Sequence, residues 1–347
     1  MINVGIAGVG FMSWIHYLAY QKIRGMKVAA FTSRDPKKQK GDWRGIKGNF
    51  GPPGERIDVS KMNAYASLDD MLKDPQIDLI DICLPPDLHE EAAIAALQAG
   101  KHVLVEKPIA LSTKSAKAMQ KAADKSGKLL LTAHVLPFFN EFNFALEAAR
   151  TGKYGKLLGG HFKRLINNPT WIPDFFNLEK VGGPLLDLNV HDTHFLRLLF
   201  GMPSSVTSVG RMRGETVEYC TSQFGFAEQD YVVTTTCGVL HQQSRSFTHG
   251  FEIHFEEATL LLDFAVIDDA PVLSMPLTVL PRKGKSKQPK LKAADSVDSF
   301  VAELKEVEQS ILSGQPSSIL GGDLAVDALV LCQKQAESVA KGKTVRV

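Results

Sequence analysis

The sequence has few cysteines, little net charge and no long apolar run. Its four cysteines among 347 residues include no CxxC pair, which argues against a disulfide framework or a cysteine-based metal site. Lys and Arg number 40 against 38 Asp and Glu, so no overall charge attracts nucleic acid or an anionic membrane. No segment approaches the roughly 18 apolar residues of a membrane span, and the first residues lack the basic region of a signal peptide. The sequence therefore predicts a cytoplasmic protein with neither a nucleic-acid nor a membrane partner.

The first third of the chain alternates strand-like and helix-like segments. Short apolar runs at 2–7, 27–32 and 77–84 are typical of buried strands, and helix-like segments separate them from later strands. This alternation predicts an α/β domain with a doubly wound parallel sheet, a Rossmann domain, over residues 1–135.

The remainder of the chain has a different pattern. Strand-like runs follow one another from residue 205 to about 280, with helical segments before and after them. This order predicts an α+β domain over residues 136–347, in which helices cover one face of an open, mostly antiparallel sheet. We expect this domain to bind the substrate and to mediate oligomerisation. The segment 280–294 carries six basic residues and is expected to be a solvated surface loop.

Two glycines follow the first predicted strand and precede a helix. Gly8 permits a tight turn, and Gly10 lets the backbone approach a pyrophosphate at the positive end of the helix. The third glycine of the dinucleotide fingerprint is replaced by Ser13, which is small enough for close packing. The pattern predicts a dinucleotide site, with Phe11 and Met12 at the helix start as further cofactor contacts.

The end of the second strand carries the residues that distinguish NAD from NADP. A carboxylate at this place would bind the ribose 2′-hydroxyl of NAD and repel a 2′-phosphate. The sequence instead has Ser33 and Arg34, whose hydroxyl and guanidinium groups suit a phosphate. Asp35 is the competing carboxylate, but it lies just before a proline, where a turn or helix start is expected. We predict that the cofactor is NADP in preference to NAD.

Two further patterns make the chain similar to a known family. A predicted strand ends in the letters EKP, centred on Lys107, and the downstream segment 182–194 contains a D-x-x-x-H pattern at Asp187 and His191. Together with the glycine turn, these patterns resemble the glucose–fructose oxidoreductase and inositol dehydrogenase family, Gfo/Idh/MocA, over nearly the whole chain. The resemblance implies that Lys107, Asp187 and His191 are the catalytic residues. It also implies a cis peptide bond before Pro108.

The chemistry of alcohol oxidation is consistent with these three residues. A hydroxyl proton must leave as the hydride departs, and a histidine with a pKa near neutrality can accept it. Asp187 lies four residues before His191, so on a helical turn the two share a face and the carboxylate can orient the imidazole. Lys107 would hold the substrate oxygen and stabilise the negative charge that develops on it.

The resemblance also indicates further site residues. On the cofactor side, besides those already named, they are Leu84, Pro85, His89 and Glu106. On the substrate side they are Arg164, Trp171, Asp174 and His194. No metal site is predicted, although Asp187, His191 and His194 have a spacing that could ligate zinc.

These residues predict an NAD(P)-dependent oxidoreductase. The enzyme would transfer a hydride between nicotinamide and a hydroxyl or carbonyl carbon of a sugar, a polyol or a related compound. Two alternatives stay open: a sugar-sensing regulator of the same fold without redox activity, and a glycosidase that uses bound NAD. By analogy with the family, a homodimer or homotetramer formed through the open sheet is expected.

Overall fold

The computed structural model describes residues 1–170, 172, 174–292, 295 and 297–347. Its strands are β1 Ile2–Ala7, β2 Met26–Thr32, β3 Asn63–Tyr65, β4 Leu79–Ile82, β5 His102–Glu106, β6 Leu130–Ala133, β7 Leu157–Asn167, β8 Ser205–Arg213, β9 Thr216–Gly225, β10 Val232–Leu240, β11 Arg245–Phe255, β12 Ala258–Ile267, β13 Ala270–Pro281 and β14 Val345–Arg346. Its α-helices are α1 Phe11–Tyr20, α2 Pro36–Gln39, α3 Leu68–Leu72, α4 His89–Gln98, α5 Thr113–Ser126, α6 Asn140–Arg150, α7 Val190–Phe200, α8 Asp298–Ser313 and α9 Gly322–Lys341. Short 3₁₀ turns lie at Pro86–Leu88 and Leu136–Phe138, and a π-helical turn lies at Leu185–Asn189.

The first compact unit comprises Met1–Phe138 and Ala293–Val326. Its six-stranded parallel sheet has the order β3-β2-β1-β4-β5-β6. From β1 the strands are added on one side as far as β3, and β4 then begins the other side of β1. Open α/β sheets bind ligands at the carboxyl edge of the sheet where the strand order changes direction in this way. The predicted Rossmann fold is confirmed.

Two helices of this unit show how its sequence determines local structure. Ser112 caps α5, because its hydroxyl accepts the Ser115 N–H at 3.0 Å. Helix α8 is absent from the sequence prediction, and its buried face packs against α1. A hydrogen bond from Thr132 N to Leu320 O also joins the 293–326 segment to β6. These contacts explain why that segment belongs to the first unit, whereas the prediction assigned it to a continuous second domain.

The segment 40–62, between α2 and β3, packs against the rest of the first unit through aromatic residues. Trp43 is fully buried, and its indole N–H donates to Lys38 O at 3.0 Å. The indole N–H of Trp14 on α1 donates to Pro52 O at 2.9 Å. Since both indole nitrogens bond to backbone carbonyls, this segment is fixed against α1 and α2.

The second compact unit comprises Phe139–Lys292 and Asp327–Val347. Its eight-stranded sheet has the order β13-β12-β11-β7-β10-β9-β8-β14, in which β7 and β10 are parallel and the other pairs are antiparallel. Helices cover one face, as shown by ring contacts of Phe195 with Phe162 and of Phe142 with Phe251, at 6.1 and 5.1 Å. The predicted mostly antiparallel sheet with one helical face is confirmed.

The other face of this sheet is accessible. Val209 on β8 and Val232 on β10 are 78% and 67% exposed. Thr221 and Thr236 hydrogen-bond to each other across β9 and β10 at 3.0 Å. In the described part of the chain, no helix is both long enough and apolar enough to cross a membrane.

Candidate active site

The glycine turn after β1 has the backbone that its residues predict. Gly8 adopts a φ of 91°, and a Cβ there would lie 2.9 Å from Leu84 Cδ2, so only glycine fits. A Cβ at Gly10 would meet no atom within 4 Å. The open space beside Gly10 is what close approach of a pyrophosphate requires, so the turn fits a dinucleotide.

The start of α1 supplies donors to the same place. The Ser13 hydroxyl accepts the Gly10 N–H at 2.6 Å and donates to Gly10 O at 2.8 Å. This bonding starts α1 at Phe11. The N–H groups of Phe11 and Met12 belong to the first helical turn and have no acceptor within the helix. They remain predicted cofactor contacts.

The end of β2 separates the roles of two neighbouring polar residues. The Asp35 carboxylate accepts the Lys37 N–H at 2.8 Å and caps α2, as its position before Pro36 predicts. Ser33 accepts the Asp35 N–H at 3.2 Å, which leaves its hydroxyl proton available, and Arg34 is exposed. The ammonium of Lys38 donates to Val9 O in the glycine turn at 2.7 Å. Lys38 is therefore a further cation beside the glycine turn, and the sequence prediction did not include it among the site residues.

The EKP turn lies at the carboxyl end of β5. The Lys107–Pro108 peptide bond is cis, as the resemblance implies. The Glu106 carboxylate accepts the backbone N–H of Lys107 at 3.1 Å through Oε2. Among residues 103–110 only Lys107 is partly exposed, and all the others are buried. The turn therefore presents the lysine side chain from a fixed backbone.

His89 braces the same turn. It is fully buried, with Nδ1 2.9 Å from Pro108 O and Nε2 2.8 Å from Leu84 O. Burial lowers the pKa of His89, and the two carbonyls oppose that shift only in part. Both ring nitrogens are thus occupied by backbone carbonyls. The geometry favours a bracing role for His89 over the predicted direct contact with the cofactor.

A buried ionic group lies behind the EKP turn; we call it the His16 cluster. His16 Nδ1 is hydrogen-bonded to Asp81 Oδ2 at 2.9 Å, and its Nε2 lies 3.1 Å from Glu106 Oε1 as an ion pair without hydrogen-bond alignment. Tyr20 donates to the same Asp81 oxygen at 3.0 Å. The Glu303 carboxyl of α8 is fully buried and has no hydrogen-bond partner among the described residues. The other member of the cluster is Cys83.

The pKa values of this cluster are set by burial and by the carboxylates. Burial lowers the pKa of His16, but Asp81 and Cys83 together raise it by more, so the net pKa lies well above the ordinary value. Burial raises the pKa of Glu303 well above its ordinary value; the charge of His16 opposes this increase in part, and Glu106 and Asp81 add to it. His16 therefore carries a proton near neutral pH, and Glu303 is a neutral acid.

The second unit places its predicted catalytic residues at an irregular helix start. Asp187 lies in the π-helical turn, and His191 lies in the first turn of α7. Between residues 182 and 196 only these two side chains are partly exposed. Short π-helical segments are frequent at functional sites, because they displace a side chain from regular helical packing.

The predicted substrate residues have mixed surroundings. Arg164 is 5% exposed and makes a bidentate pair with Asp192, with Nε–Oδ2 and Nη2–Oδ1 distances of 2.8 and 3.0 Å. His194 is fully buried, whereas Asp174 is exposed in a turn with a φ of 57°. Trp171 lies outside the described residues. Because Arg164 is already paired, its geometry favours a structural role; the other assignments remain predictions.

The sequence prediction missed the His16 cluster except for Glu106. One signal was available: Asp81 interrupts the apolar strand Leu79–Ile82, and a buried carboxylate requires a partner. The partner could not be identified, because His16 lies 65 residues away and Glu303 lies on a helix that was not predicted.

Family models match both units. Residues 2–134 match the oxidoreductase family with an NAD-binding Rossmann fold, and residues 142–261 match the Gfo/Idh/MocA C-terminal domain. The 1,5-anhydro-D-fructose reductase of Ensifer adhaerens is 27% identical over 296 residues, covering 82% of this chain and 84% of that protein. The NADP(+)-dependent scyllo-inositol 2-dehydrogenase of Bacillus subtilis is 33% identical over 160 residues, which is 44% of each chain.

A solved structure shares the fold over the whole chain. Levoglucosan dehydrogenase in complex with NADH and levoglucosan superimposes with a TM-score of 0.80, at 21% identity, covering 100% of this chain and 99% of that one. The first family match, residues 2–134, includes the six-stranded sheet, the glycine turn and the cis EKP turn. The chain belongs to the Gfo/Idh/MocA family and is an NAD(P)-dependent oxidoreductase.

Proposed function

We propose that the protein interconverts a hydroxyl and a carbonyl group on a sugar, a polyol or a related compound, with Lys107, Asp187 and His191 as its catalytic residues. The observation that carries the proposal is the exposure of these three side chains. In the segments 103–110 and 182–196 they are partly exposed, and all the other residues are buried. Lys107 also has its backbone held by Glu106. Such restriction suits residues that must meet a substrate in a defined position.

Each residue has a separate task in the proposed reaction. When bound, the nicotinamide accepts the hydride from the alcohol carbon or returns it to the carbonyl carbon. His191 takes the hydroxyl proton during oxidation, so the substrate leaves as a carbonyl compound and the imidazole becomes an imidazolium. Asp187 stabilises that imidazolium and holds its orientation. The Lys107 ammonium donates a hydrogen bond to the reacting oxygen and offsets its developing negative charge.

The cofactor preference we propose is NADP. Asp35, the carboxylate that could have favoured NAD, is occupied as the cap of α2. Ser33 keeps a hydroxyl proton to donate, Arg34 is exposed, and the Lys38 ammonium lies at the glycine turn. A 2′-phosphate would gain charge-assisted hydrogen bonds from this set. The relatives leave the choice open, since one is named for NADP(+) and the fold neighbour was solved with NADH.

The substrate class rests on relatives and on general chemistry. Two relatives are named for an anhydro-fructose and an inositol, and the fold neighbour was solved with levoglucosan. All three compounds are cyclic polyhydroxylated molecules with little charge. We propose a substrate of this class, with Trp171, Asp174 and His194 as candidate contacts.

Replacing Lys107 tests the catalytic assignment. We expect Lys107→Ala to lower kcat by about 10³-fold, because a donor to the developing oxyanion is lost. His191→Ala should lower kcat by about 10²- to 10⁴-fold through loss of the general base. Lys117→Ala, at an exposed position on α5, is the matched control and should keep full activity. Full turnover by Lys107→Ala would refute the proposed mechanism.

A substrate panel tests the reaction class. Polyols and aldoses should produce NADPH or NADH in proportion to the carbonyl formed. Hydrolysis of aryl glycosides without net reduction of the cofactor would instead indicate a glycosidase. Binding of dinucleotide and sugar with no turnover would indicate a sensor.

Calorimetric titration tests the cofactor preference. Ser33→Asp should weaken NADP binding by about 10- to 100-fold, because the new carboxylate repels the 2′-phosphate and removes a hydrogen bond to it. NAD binding should stay the same or improve. Lys40→Ala, at an exposed position just after α2, is the control. Equal affinity of the wild-type protein for both dinucleotides would contradict the preference.

We also propose a cytoplasmic homodimer or homotetramer. All four cysteines are free, as expected in a reducing compartment. The accessible sheet face exposes Val209 and Val232, and a second copy would cover them. Light scattering of the wild-type protein and of Val209→Lys/Val232→Lys tests the association. A wild-type monomer at micromolar concentration would contradict it.

A further inference from the structure

The His16 cluster connects directly to the backbone of the proposed catalytic lysine. His16 bonds to Asp81 through Nδ1 and lies 3.1 Å from Glu106 Oε1 through Nε2. The other Glu106 oxygen, Oε2, accepts the Lys107 N–H at 3.1 Å. One carboxylate thus faces the imidazole with one oxygen and the lysine amide with the other. The side chains of His16 and Glu106 are 0% and 9% exposed, so water competes little for these contacts.

The arrangement requires a protonated imidazole. A neutral ring that donates its one N–H to Asp81 would place an uncharged nitrogen 3.1 Å from the buried Glu106 carboxylate. An imidazolium donates to Asp81 and also places its positive charge beside Glu106. Loss of this proton would leave one carboxylate without its partner in a site shielded from water.

The other groups that face His16 do not replace its charge. Tyr20 and Cys83 donate to Asp81, and burial raises the pKa of both, so they remain neutral. Glu303 approaches from α8 as a neutral acid, because burial raises its pKa. Among the described members of the cluster, His16 is the one cation that faces the two carboxylates.

We infer that protonated His16 is a positioning residue, which holds the Lys107 turn through the Glu106 carboxylate. The inference rests on the proposed catalytic role of Lys107. When His16 is replaced or loses its proton, Glu106 is released and the lysine turn gains freedom. The chemical step then slows, while affinity for cofactor and sugar changes little, because the His16 side chain is fully buried.

Two single variants and one control test the inference. His16→Gln removes the cation, and Glu106→Gln keeps an oxygen for the Lys107 N–H while its amide can donate to a neutral His16. His102→Gln is the matched control, because His102 lies at the opposite end of β5, where its Nδ1 accepts the Leu129 N–H. The double variant His16→Gln/Glu106→Gln measures whether the two residues act through one path.

The first measurement is hydrogen exchange of the peptide that contains the Lys107 amide, in the protein without substrate. His16→Gln should speed exchange of this amide by about tenfold at neutral pH, and His102→Gln should leave it unchanged. This result depends on the backbone alone. It decides whether His16 holds the turn even if Lys107→Ala keeps full turnover and the catalytic assignment fails.

The second measurement is the pH profile of kcat and KM. His16→Gln should lower kcat by about 10- to 100-fold at neutral pH, with KM for both reactants within about twofold. Glu106→Gln should retain more activity than His16→Gln. Its kcat should also lack the decrease at alkaline pH that loss of the His16 proton causes in the wild-type protein. The double variant should be no slower than the slower single variant.

Several outcomes would overturn the inference. Unchanged exchange at Lys107 in His16→Gln would do so, as would faster exchange with unchanged kcat, which would show a structural role only. If His16→Gln does not fold, the inference is tested with Glu106→Gln alone. If kcat of Glu106→Gln decreases at alkaline pH as it does in the wild-type protein, the inference is contradicted. Additive losses in the double variant would show that His16 and Glu106 act independently.

Discussion

Each unit of the molecule contains a histidine beside a charged group. The neighbouring charge is negative in the first unit and positive in the second. His16 in the first unit faces the carboxylates of Asp81 and Glu106. His249 on β11 in the second unit lies beside Arg164 on β7 and contacts three phenylalanine rings at 5.2–5.5 Å. Burial lowers the pKa of both histidines. Asp81 and Cys83 together reverse that shift for His16, whereas burial together with the Arg164 charge lowers the pKa of His249 to about 3.

The difference shows that the neighbours, and not burial alone, determine the charge of a buried histidine. In the first unit the imidazolium offsets two carboxylates and secures a functional turn. In the second unit Arg164 already neutralises Asp192, so a second cation at His249 would have no partner. The ring of His249 is partly exposed at its edge, yet its Nδ1 is enclosed and has no hydrogen-bond partner among the described residues. We therefore expect the contribution of His16 to stability to be lost in base, and His249 to reduce stability in acid.

Breaking the ion pair of the second unit should have the largest effect. Asp192→Asn leaves the Arg164 guanidinium buried without a counter-charge, which we expect to cost about 3–5 kcal/mol of unfolding free energy. The loss should be similar at pH 6 and pH 9, because arginine keeps its charge throughout. Urea denaturation with hydrogen exchange of β7 and β11 peptides measures it.

A matched pair in the same unit provides the control. Arg197 and Asp327 also form an ion pair at 2.8 Å, but their side chains are 28% and 30% exposed. Asp327→Asn should cost less than about 1 kcal/mol, because water replaces the lost contact. Equal losses in the two variants would show that burial does not distinguish the pairs.

His249→Phe should make the second unit more resistant to acid. The unfolded chain binds a proton at this histidine below about pH 6.5, while the folded protein excludes it until the pH nears 3. The wild-type protein thus loses stability as the pH falls through this window. At pH 5 the loss from this one group is about 2 kcal/mol.

The phenylalanine variant should lack that loss, so its stability relative to the wild-type protein should rise by about 2 kcal/mol between pH 8 and pH 5. Comparing the two pH values removes any constant effect of the larger ring. Chemical denaturation at both pH values measures the difference. A relative stability that is the same at pH 5 and pH 8 would mean that His249 titrates normally in the folded protein.

The contrast between the units also shows which features a sequence can predict. The glycine turn was predictable, because it depends on local backbone requirements at Gly8 and Gly10. The cis EKP turn was predicted from the family resemblance, since Pro108 alone does not determine it. The sheet types followed from hydrophobic patterns. The pairs His16–Asp81 and Arg164–Asp192 join residues on different elements, so only tertiary packing reveals them. Arg164 was therefore predicted as a substrate contact, although its guanidinium is committed to Asp192.

The smallest expected effect is a pH dependence in the first unit. Because the folded pKa of His16 is raised, its contribution to stability is complete below about pH 6.5 and is lost as the pH rises through that folded pKa. The destabilisation by His16→Gln should therefore shrink by about 1.4 kcal/mol over the first pH unit above 6.5. Denaturation followed by the fluorescence of Trp14 and Trp43, both buried in the first unit, measures this slope. His102→Gln should show no such slope, because burial lowers the pKa of His102. A pH-independent loss in His16→Gln would mean that His16 is neutral in the folded protein, and the comparison with His249 would then fail.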